Sequence, residues 1–402
     1  KIWQGIIDSN LKLVIGARSS LLLPFKNLGL IVLDEEHDPS YKQDVGIIYH
    51  ARDMAIARAS FENIPIHLVS AVPSLETFNN IKNKKYNHTK LINRYSESPL
   101  PEAKVINLQK AELKKDHFIA KETFDIVDEY LKKKEQVLFF LNRRGYAPFL
   151  ICKKCGYKHL CPNCSIYLTY HKSINKLICH HCGSKVKKDN LCKNEKNLCD
   201  FRMYGPGVEK IYEELNIIYP EKNIRIFSSD FLSKTGETES ILKKIENNEV
   251  NILVGTQLIS KGFNFPKLNC IVVVDADFSG MGYDLRTTEK NIQLYNQLSG
   301  RAGRFSEKST IIYQTITPLN ETLKDVLENN PEKFLNNELI IRKNKNLPPF
   351  SRLIALIISA SSSQDSFRAA QEIKKKLSVL DELDVLGPVD SPIFRVKKKF
   401  RT

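Results

Sequence analysis

The chain has 402 residues, enough for two or three domains, and 42% of them are hydrophobic, enough for buried cores. No run approaches the ~20 apolar residues of a membrane-spanning helix, so no membrane partner is expected. The formal net charge of +15 suits a polyanionic partner, most simply nucleic acid. A lysine-rich composition with solvated runs such as Lys82–Lys85 accounts for the same excess, so charge alone favours nucleic acid only modestly. The chain starts on Lys and ends after a basic run, and is expected to be a fragment.

Residues 11–33 read as an apolar strand (LKLVIGA), a turn (GARSS) and a second strand (GLIVL), the pattern of a parallel sheet. DEEH (Asp34–His37) follows at the carboxyl end of the second strand, where α/β folds place their chemistry. One carboxylate there can hold Mg²⁺ through its water shell while the next activates the attacking water. A solvated strand end explains these four residues equally well when they are taken alone.

The apolar run VLFFLNRRG (Val137–Gly145) reads as a strand ending in a basic turn. Directly after it come three C-x₂-C pairs, Cys152/Cys155, Cys161/Cys164 and Cys179/Cys182, then Cys192 and Cys199. Each pair presents two thiolates to one tetrahedral ion, and eight thiolates fit two Zn²⁺. A disulfide framework competes, but the chain shows no signal peptide and is large for such a scaffold. The ninth cysteine, Cys270, lies in an apolar strand (CIVVV) and reads as a small buried hydrophobe. After GPG (Gly205–Gly207) strands and helices alternate again, so the cysteine module reads as an insertion into an α/β domain.

Gly255 and Thr256 end the strand NILV and lead into QLISKG. QLSGRAGR (Gln297–Arg304) then places Arg301 and Arg304 three apart beside Gly300 and Gly303. Guanidinium groups keep their charge and suit the charge that develops on a transferring phosphoryl group. With DEEH this makes a constellation for nucleoside triphosphate hydrolysis split across two sheets. Residues 318–345 read as mostly helical, and Pro348–Pro349 mark a boundary. Arg352–Ser362 reads as a strand, followed by an amphipathic helix through Leu377 and a basic strand FRVKKKFR (Phe394–Arg401).

Several of these stretches together resemble the bacterial primosomal replication-restart helicases of superfamily 2: GARSSLLLPF, LDEEHDPSYKQ, YHARDMA, SAVPSLE, FLNRRGYAP, the cysteine module, GTQLISKGFNFP and QLSGRAGR. They cover nearly the whole chain. DEEH and the arginine motif are shared by many helicases, whereas the cysteine module placed after FLNRRGYAP is far more specific. The fold implied is α/β: two RecA-like helicase lobes, the first partial, with an inserted two-zinc module and a small C-terminal α/β domain. The implied boundaries are 1–98 for the end of the first lobe and 99–150 for a linker and the start of the second. The zinc insertion would take 151–200, the rest of the second lobe 201–318, and a helical segment with a partial C-terminal domain 319–402.

The resemblance also implies roles. Asp34 would hold Mg²⁺ and Glu35 would position or activate water, while Glu36 and His37 would couple the site to the DNA-binding surface. Gly255, Thr256, Gly300, Arg301 and Arg304 would serve ATP, with Gln297 nearby, and Lys261 would join the nucleotide cleft to the strand track. Arg18 and Ser19 match a turn that grips the DNA backbone, a contact that gives affinity without sequence preference. Tyr41 and Tyr49 of an aromatic-rich loop would stack on bases, with Lys42, His50 and Arg52 on phosphates; half-buried packing is the alternative for the tyrosines. One ion would take Cys152, Cys155, Cys192 and Cys199, and the other Cys161, Cys164, Cys179 and Cys182. Both zincs would be structural, and His171, His180 and His181 bystanders.

Four departures from the family pattern stand out. The G-x-x-x-x-G-K-[ST] phosphate loop is absent, and in the family it lies upstream. SAV (Ser70–Val72) replaces SAT and loses a hydroxyl. Ile47–Ile48 stand where a tryptophan is usual, and the last cysteine pair is C-x₆-C, with Glu195 at the expected ligand position. The implied activity is an ATP-dependent 3′→5′ DNA helicase that recognises stalled forks and initiates restart through primosome assembly. The implied partners are forked and single-stranded DNA, other primosome proteins, the replicative helicase loader and single-strand binding protein, in a bacterial cytoplasm at the nucleoid. The alternative is a non-catalytic DNA-binding scaffold on a helicase fold.

Overall fold

The computed structural model describes residues 2–43, 46–91, 98–114, 117–141, 149–152, 157–171, 175–179, 182–188, 191–192, 197–198, 201–204, 207–227, 235–256, 265–277, 285–304, 306, 308–318 and 321–402. It divides into two compact units: residues 1–92, 286–297 and 320–352 form the first, and 93–285, 298–319 and 353–402 the second.

The first unit is built on a short β-α-β element. Strand Ile31–Leu33 pairs in parallel with Ile66–Leu68, and helix Ala51–Glu62 connects them. That helix buries Ala51, Ala55 and Ala59, a spacing of four that keeps one face of small side chains inward. Its end is set by Asn63, whose left-handed backbone (φ 52°) closes the last turn. Helix Leu75–Lys82 starts where the Ser74 hydroxyl accepts from the Thr77 amide at 3.3 Å, and helix Pro331–Asn344 starts with Asn330 as cap and Pro331 in its first turn.

Leu11–Ala17, read from sequence as a strand, joins no ladder among the described residues; Leu13 and Ile15 are exposed. Apolar alternation specifies a strand only when a neighbour offers its backbone. Val72, the departure in SAV, is 1% exposed, so its methyls suit the packing that surrounds it.

The second unit carries a six-stranded parallel sheet in the order Ile224–Phe227, Ile252–Gly255, Gln136–Phe140, Leu268–Val273, Thr310–Thr315, Glu102–Asn107. Every residue of Gln136–Phe140, Leu268–Val273 and Thr310–Thr315 is buried, as expected of parallel strands covered on both faces. Helix Lys121–Lys132 covers the sheet with Thr123, Val127, Tyr130 and Leu131, a 4-3-1 spacing on one stripe. Cys270 is fully buried with its thiol pushed up by burial, in keeping with the reading as a small hydrophobe.

The cysteine module leaves this sheet through a neck in which Phe149–Cys152 runs antiparallel to Phe201–Tyr204. Within it, Thr169–His171, Lys176–Ile178 and Lys185–Lys187 form a three-stranded antiparallel sheet.

The end of the chain departs from the sequence reading twice. Of Arg352–Ser362 only Ser359–Ala360 is strand, and Leu353, Ile354, Leu356 and Ile357 stay exposed. Phe394–Arg401 is not one strand but a hairpin, Arg395–Val396 against Lys399–Arg401, turning through Lys397 and Lys398. Two successive residues with positive φ (49° and 67°) reverse the chain where the lysine run gave no turn signal. The helix expected before it is present as Ser363–Leu377. Among the described residues no helix is long and apolar enough to cross a membrane.

Candidate nucleotide and metal sites

Asp34 follows strand Ile31–Leu33 directly, exposed at its carboxyl end. The Asp34 Oδ1 accepts from the Glu35 amide at 3.0 Å, and the Tyr41 hydroxyl donates to the Asp34 carbonyl at 2.7 Å. Glu35 itself is left-handed (φ 50°), an uncommon backbone for a side chain of its size. The turn is nonetheless closed, because the Asp38 amide donates to the Glu35 carbonyl at 2.7 Å. Glu35 Oε2 accepts no hydrogen bond and lies 3.6 Å from His37 Nδ1. Tyr41 is half-buried, and burial together with the Asp34 carboxylate holds its hydroxyl protonated above the ordinary range.

Glu36 has a different surrounding. It is 1% exposed, and its carboxylate accepts from the Ser74 amide (2.6 Å), the Ser74 hydroxyl (3.1 Å), the Thr77 hydroxyl (3.1 Å) and Arg52 Nη1 (3.0 Å). A carboxylate fully satisfied in this way fixes the acid turn against the start of helix Leu75–Lys82. Arg52, read from sequence as a phosphate contact, is buried, with Nη1 also on the Ser74 hydroxyl (2.6 Å) and Nε on Asp53 (3.0 Å). A guanidinium so committed braces the fold rather than presenting itself to a strand. The sequence reading missed this clamp, although Ser74 as a helix cap followed by Thr77 was a visible start signal.

His37 joins three of the motifs singled out in the sequence. Its Nδ1 lies 2.6 Å from the Ser70 hydroxyl of SAV, and its Nε2 lies 3.2 Å from Gln297 Nε2 of QLSGRAGR, all within the first unit. With the Gln297 amide nitrogen as donor, His37 Nε2 accepts and the Nδ1 proton goes to Ser70. Helix Thr287–Ser299 carries Gln297, and its first turn is held by Glu289, whose Oε1 accepts from the Leu75 amide at 3.0 Å. Arg286 forks onto Glu76, with Nη1 3.0 Å from Oε2, and Arg342, 1% exposed, lies 3.6 Å from Glu289. Nothing in the sequence signalled this buried network, because its members are hundreds of residues apart.

The other proposed DNA contacts lie around the same turn. Arg18 Nη1 donates to the carbonyls of Ser40 and Lys42, each at 2.8 Å, so it braces the loop that carries Tyr41. Ser19 lies in the same 3-10 turn, Arg18–Leu22. Lys42–Gln43 and Tyr49–His50 form a small hairpin with Lys42 exposed and Tyr49 half-buried, and Ile47 and Ile48 exposed near its tip. Burial and nearby Arg52 lower the His50 pKa, so this ring is neutral at pH 7 and offers a hydrogen bond rather than a charge.

In the second unit, Gly255 and Thr256 stand at the carboxyl end of strand Ile252–Gly255, with the Gly255 carbonyl accepting from Leu141 N at 2.9 Å. Arg304 Nε donates to the Gly300 carbonyl at 3.2 Å, and the Ser98 hydroxyl donates to the Arg304 carbonyl at 3.0 Å. Arg301 N donates to Leu298 at 2.9 Å. Gly303 is needed as glycine: its φ is +65°, and a Cβ there would sit 2.2 Å from the Ser309 hydroxyl. Lys261 lies outside the described residues.

The Sγ atoms of Cys161, Cys164, Cys179 and Cys182 all lie within 4.8 Å of one another, and those of Cys161 and Cys182 are 3.6 Å apart. Four sulfurs about 2.3 Å from a tetrahedral Zn²⁺ stand roughly 3.8 Å from each other, so the cluster fits that ion. Burial pushes the Cys161 thiol up to about 12, while the Ser184 amide draws Cys182 down to about 7. Zinc would hold all four as thiolates and, with no position left for water, act structurally. Cys152 is buried at the neck. Cys155 and Cys199 and the side chain of Cys192 lie outside what the structure describes, as do His180, His181 and Glu195.

Residues 161–187 match the family model of the PriA DNA helicase Cys-rich region, and residues 191–306 match the helicase conserved C-terminal domain. Over 400 residues, all of this chain, it is 42% identical to the replication restart protein PriA of Rickettsia conorii and spans 62% of that protein. It is 34% identical to the Bacillus subtilis PriA over 99% of this chain and 50% of the relative. A structure of RecG bound to a three-way DNA junction superposes with a TM-score of 0.43 at 14% identity, over 93% of this chain and 37% of that chain. The chain is therefore similar along its whole length to the replication restart proteins PriA, and residues 161–187 of its cysteine module match the Cys-rich region of that family.

Proposed function

We propose that this chain is the greater part of the motor of an ATP-dependent replication-restart helicase. The observation that carries the reading is His37, which ties the acid turn to Ser70 of SAV and to Gln297 of the arginine motif within one unit. Asp34 serves as the Mg²⁺ carboxylate and Glu35, whose Oε2 accepts no hydrogen bond, as the group that orients water. Gly255, Thr256, Gly300, Arg301 and Arg304 serve ATP as well, the two arginines countering charge on the transferring phosphoryl group. His37 then reports the state of the nucleotide to the turn holding Tyr41, Lys42, Tyr49 and His50, which grips single-stranded DNA together with Arg18 and Ser19, and Lys261 serves the strand track. The polarity is 3′→5′, the substrate a stalled fork, and the outcome primosome assembly with its helicase loader and single-strand binding protein. The module takes two structural zincs, the second on Cys152, Cys155, Cys192 and Cys199.

The test is DNA-stimulated ATP hydrolysis and unwinding of forks with 3′ or 5′ single-stranded arms, using protein of the relatives' full length. Hydrolysis with unwinding along the 3′→5′ direction supports the motor. DNA binding with no hydrolysis overturns it and leaves the scaffold.

A further inference from the structure

The cysteine cluster is closed from outside its own module. The hairpin Arg395–Val396/Lys399–Arg401 lies on the Cys161–Cys164 knuckle, more than 200 residues away along the chain. Arg395 N donates to the Ser165 hydroxyl at 2.8 Å, and Ser165 N donates to the Arg395 carbonyl at 2.8 Å. Arg395 Nη2 reaches the Pro162 carbonyl and Lys398 N the Asn163 carbonyl, both at 2.7 Å. Lys397 N points at the Cys164 sulfur, 3.4 Å away. Val396 packs against the apolar shell of Leu150, Leu168, Tyr170 and Leu177 around the cysteines.

Two features make this more than chance packing. Lys397 and Lys398 both have positive φ, a backbone that a lysine pair adopts at a cost and keeps only when its surroundings over-determine it. Here both amides of that strained pair are used, one on a ligand sulfur and one on the loop between two ligands. A tetrathiolate zinc centre carries net negative charge, and an N–H aimed at a ligating sulfur offsets it; partners of this kind tune metal affinity.

We propose that the 394–401 hairpin is the outer shell of this zinc site, so that it tightens metal binding and the metal in turn holds the hairpin in its strained form. The proposal rests on zinc being the ion these four cysteines hold. It makes the end of the chain a part of the metal centre rather than a separate basic strand.

The experiment uses the whole chain loaded with zinc and challenged with a chromogenic chelator. Ser165→Ala combined with Arg395→Ala loosens the hairpin without touching a ligand. One equivalent of zinc should then leave about 10–100-fold faster than from the unaltered protein. Lys397→Gly keeps the amide, accepts the positive φ and should release zinc within about twofold of the original rate. Amide exchange at residues 394–401 should be slow with zinc bound and fast after its removal. Unchanged release from the double variant, folded by circular dichroism, would overturn the proposal, as would exchange that ignores the metal. Absence of zinc from the unaltered protein would overturn the metal reading first and the proposal with it.

Discussion

Arg52 and Glu36 form a buried ion pair, with Nη1 3.0 Å from Oε2, and between them they fix the acid turn to the start of helix Leu75–Lys82. Removing Glu36 takes the buried counter-ion from Arg52, leaving it the exposed Asp53 carboxylate, and takes the acceptor from the Ser74 amide. Glu36→Ala is expected to cost about 3–5 kcal/mol, read from urea unfolding of the chain. A loss under about 1 kcal/mol, the range of exposed pairs, would show that the clamp is dispensable.

Glu35→Gln keeps the size of the side chain and removes its basicity. In protein of the relatives' full length, nucleotide affinity should persist while DNA-stimulated turnover falls about 100-fold or more. Turnover surviving this change would remove Glu35 from the chemistry.

His37→Ala breaks the link from Ser70 to Gln297, which are 2.6 Å and 3.2 Å from the ring nitrogens. Stimulation of hydrolysis by DNA should be lost while the slower DNA-independent rate remains. Equal loss of both rates would assign the ring to the nucleotide site instead of to coupling.

Glu76 gives the first unit an acid limit. Burial alone raises its carboxyl, but the Arg286 fork outweighs burial and holds it below the ordinary value of 4.5. With the folded value below the unfolded one, the stabilisation is complete above the unfolded value and fades as pH falls through the folded one. Arg286→Ala should therefore flatten the fall in unfolding midpoint below about pH 4.5, seen by acid titration of urea curves.

Two zinc ions per chain are expected by elemental analysis, and Cys161→Ser should remove one. Retention of both after that change would exclude Cys161 as a ligand.

Much of this was legible in the chain. Val137–Phe140, the NILV and CIVVV runs and DEEH gave the parallel sheet of the second unit and the acid turn of the first, because fully buried strands leave unbroken apolar runs, while the basic turn read after Leu141 lies outside the described residues. The C-x₂-C spacing gave the sulfur cluster for a similar local reason. What stayed hidden depends on distant partners. Leu11–Ala17 and Leu353–Ile357 have strand-like residues but no ladder neighbour among the described residues, and the clamp on Arg52 needs Ser74 and Glu36 brought together by the fold. Lys397 and Lys398 carry no turn signature, since their backbone is dictated by the surface they lie on.

The neck formed by Phe149–Cys152 and Phe201–Tyr204 has a further consequence. Entry and exit of the cysteine module stand next to each other, so the parts of its interior away from the 394–401 hairpin can grow, shrink or be exchanged while the parallel strands keep their register. A lineage can remodel this appendage without redesigning the sheet that carries it.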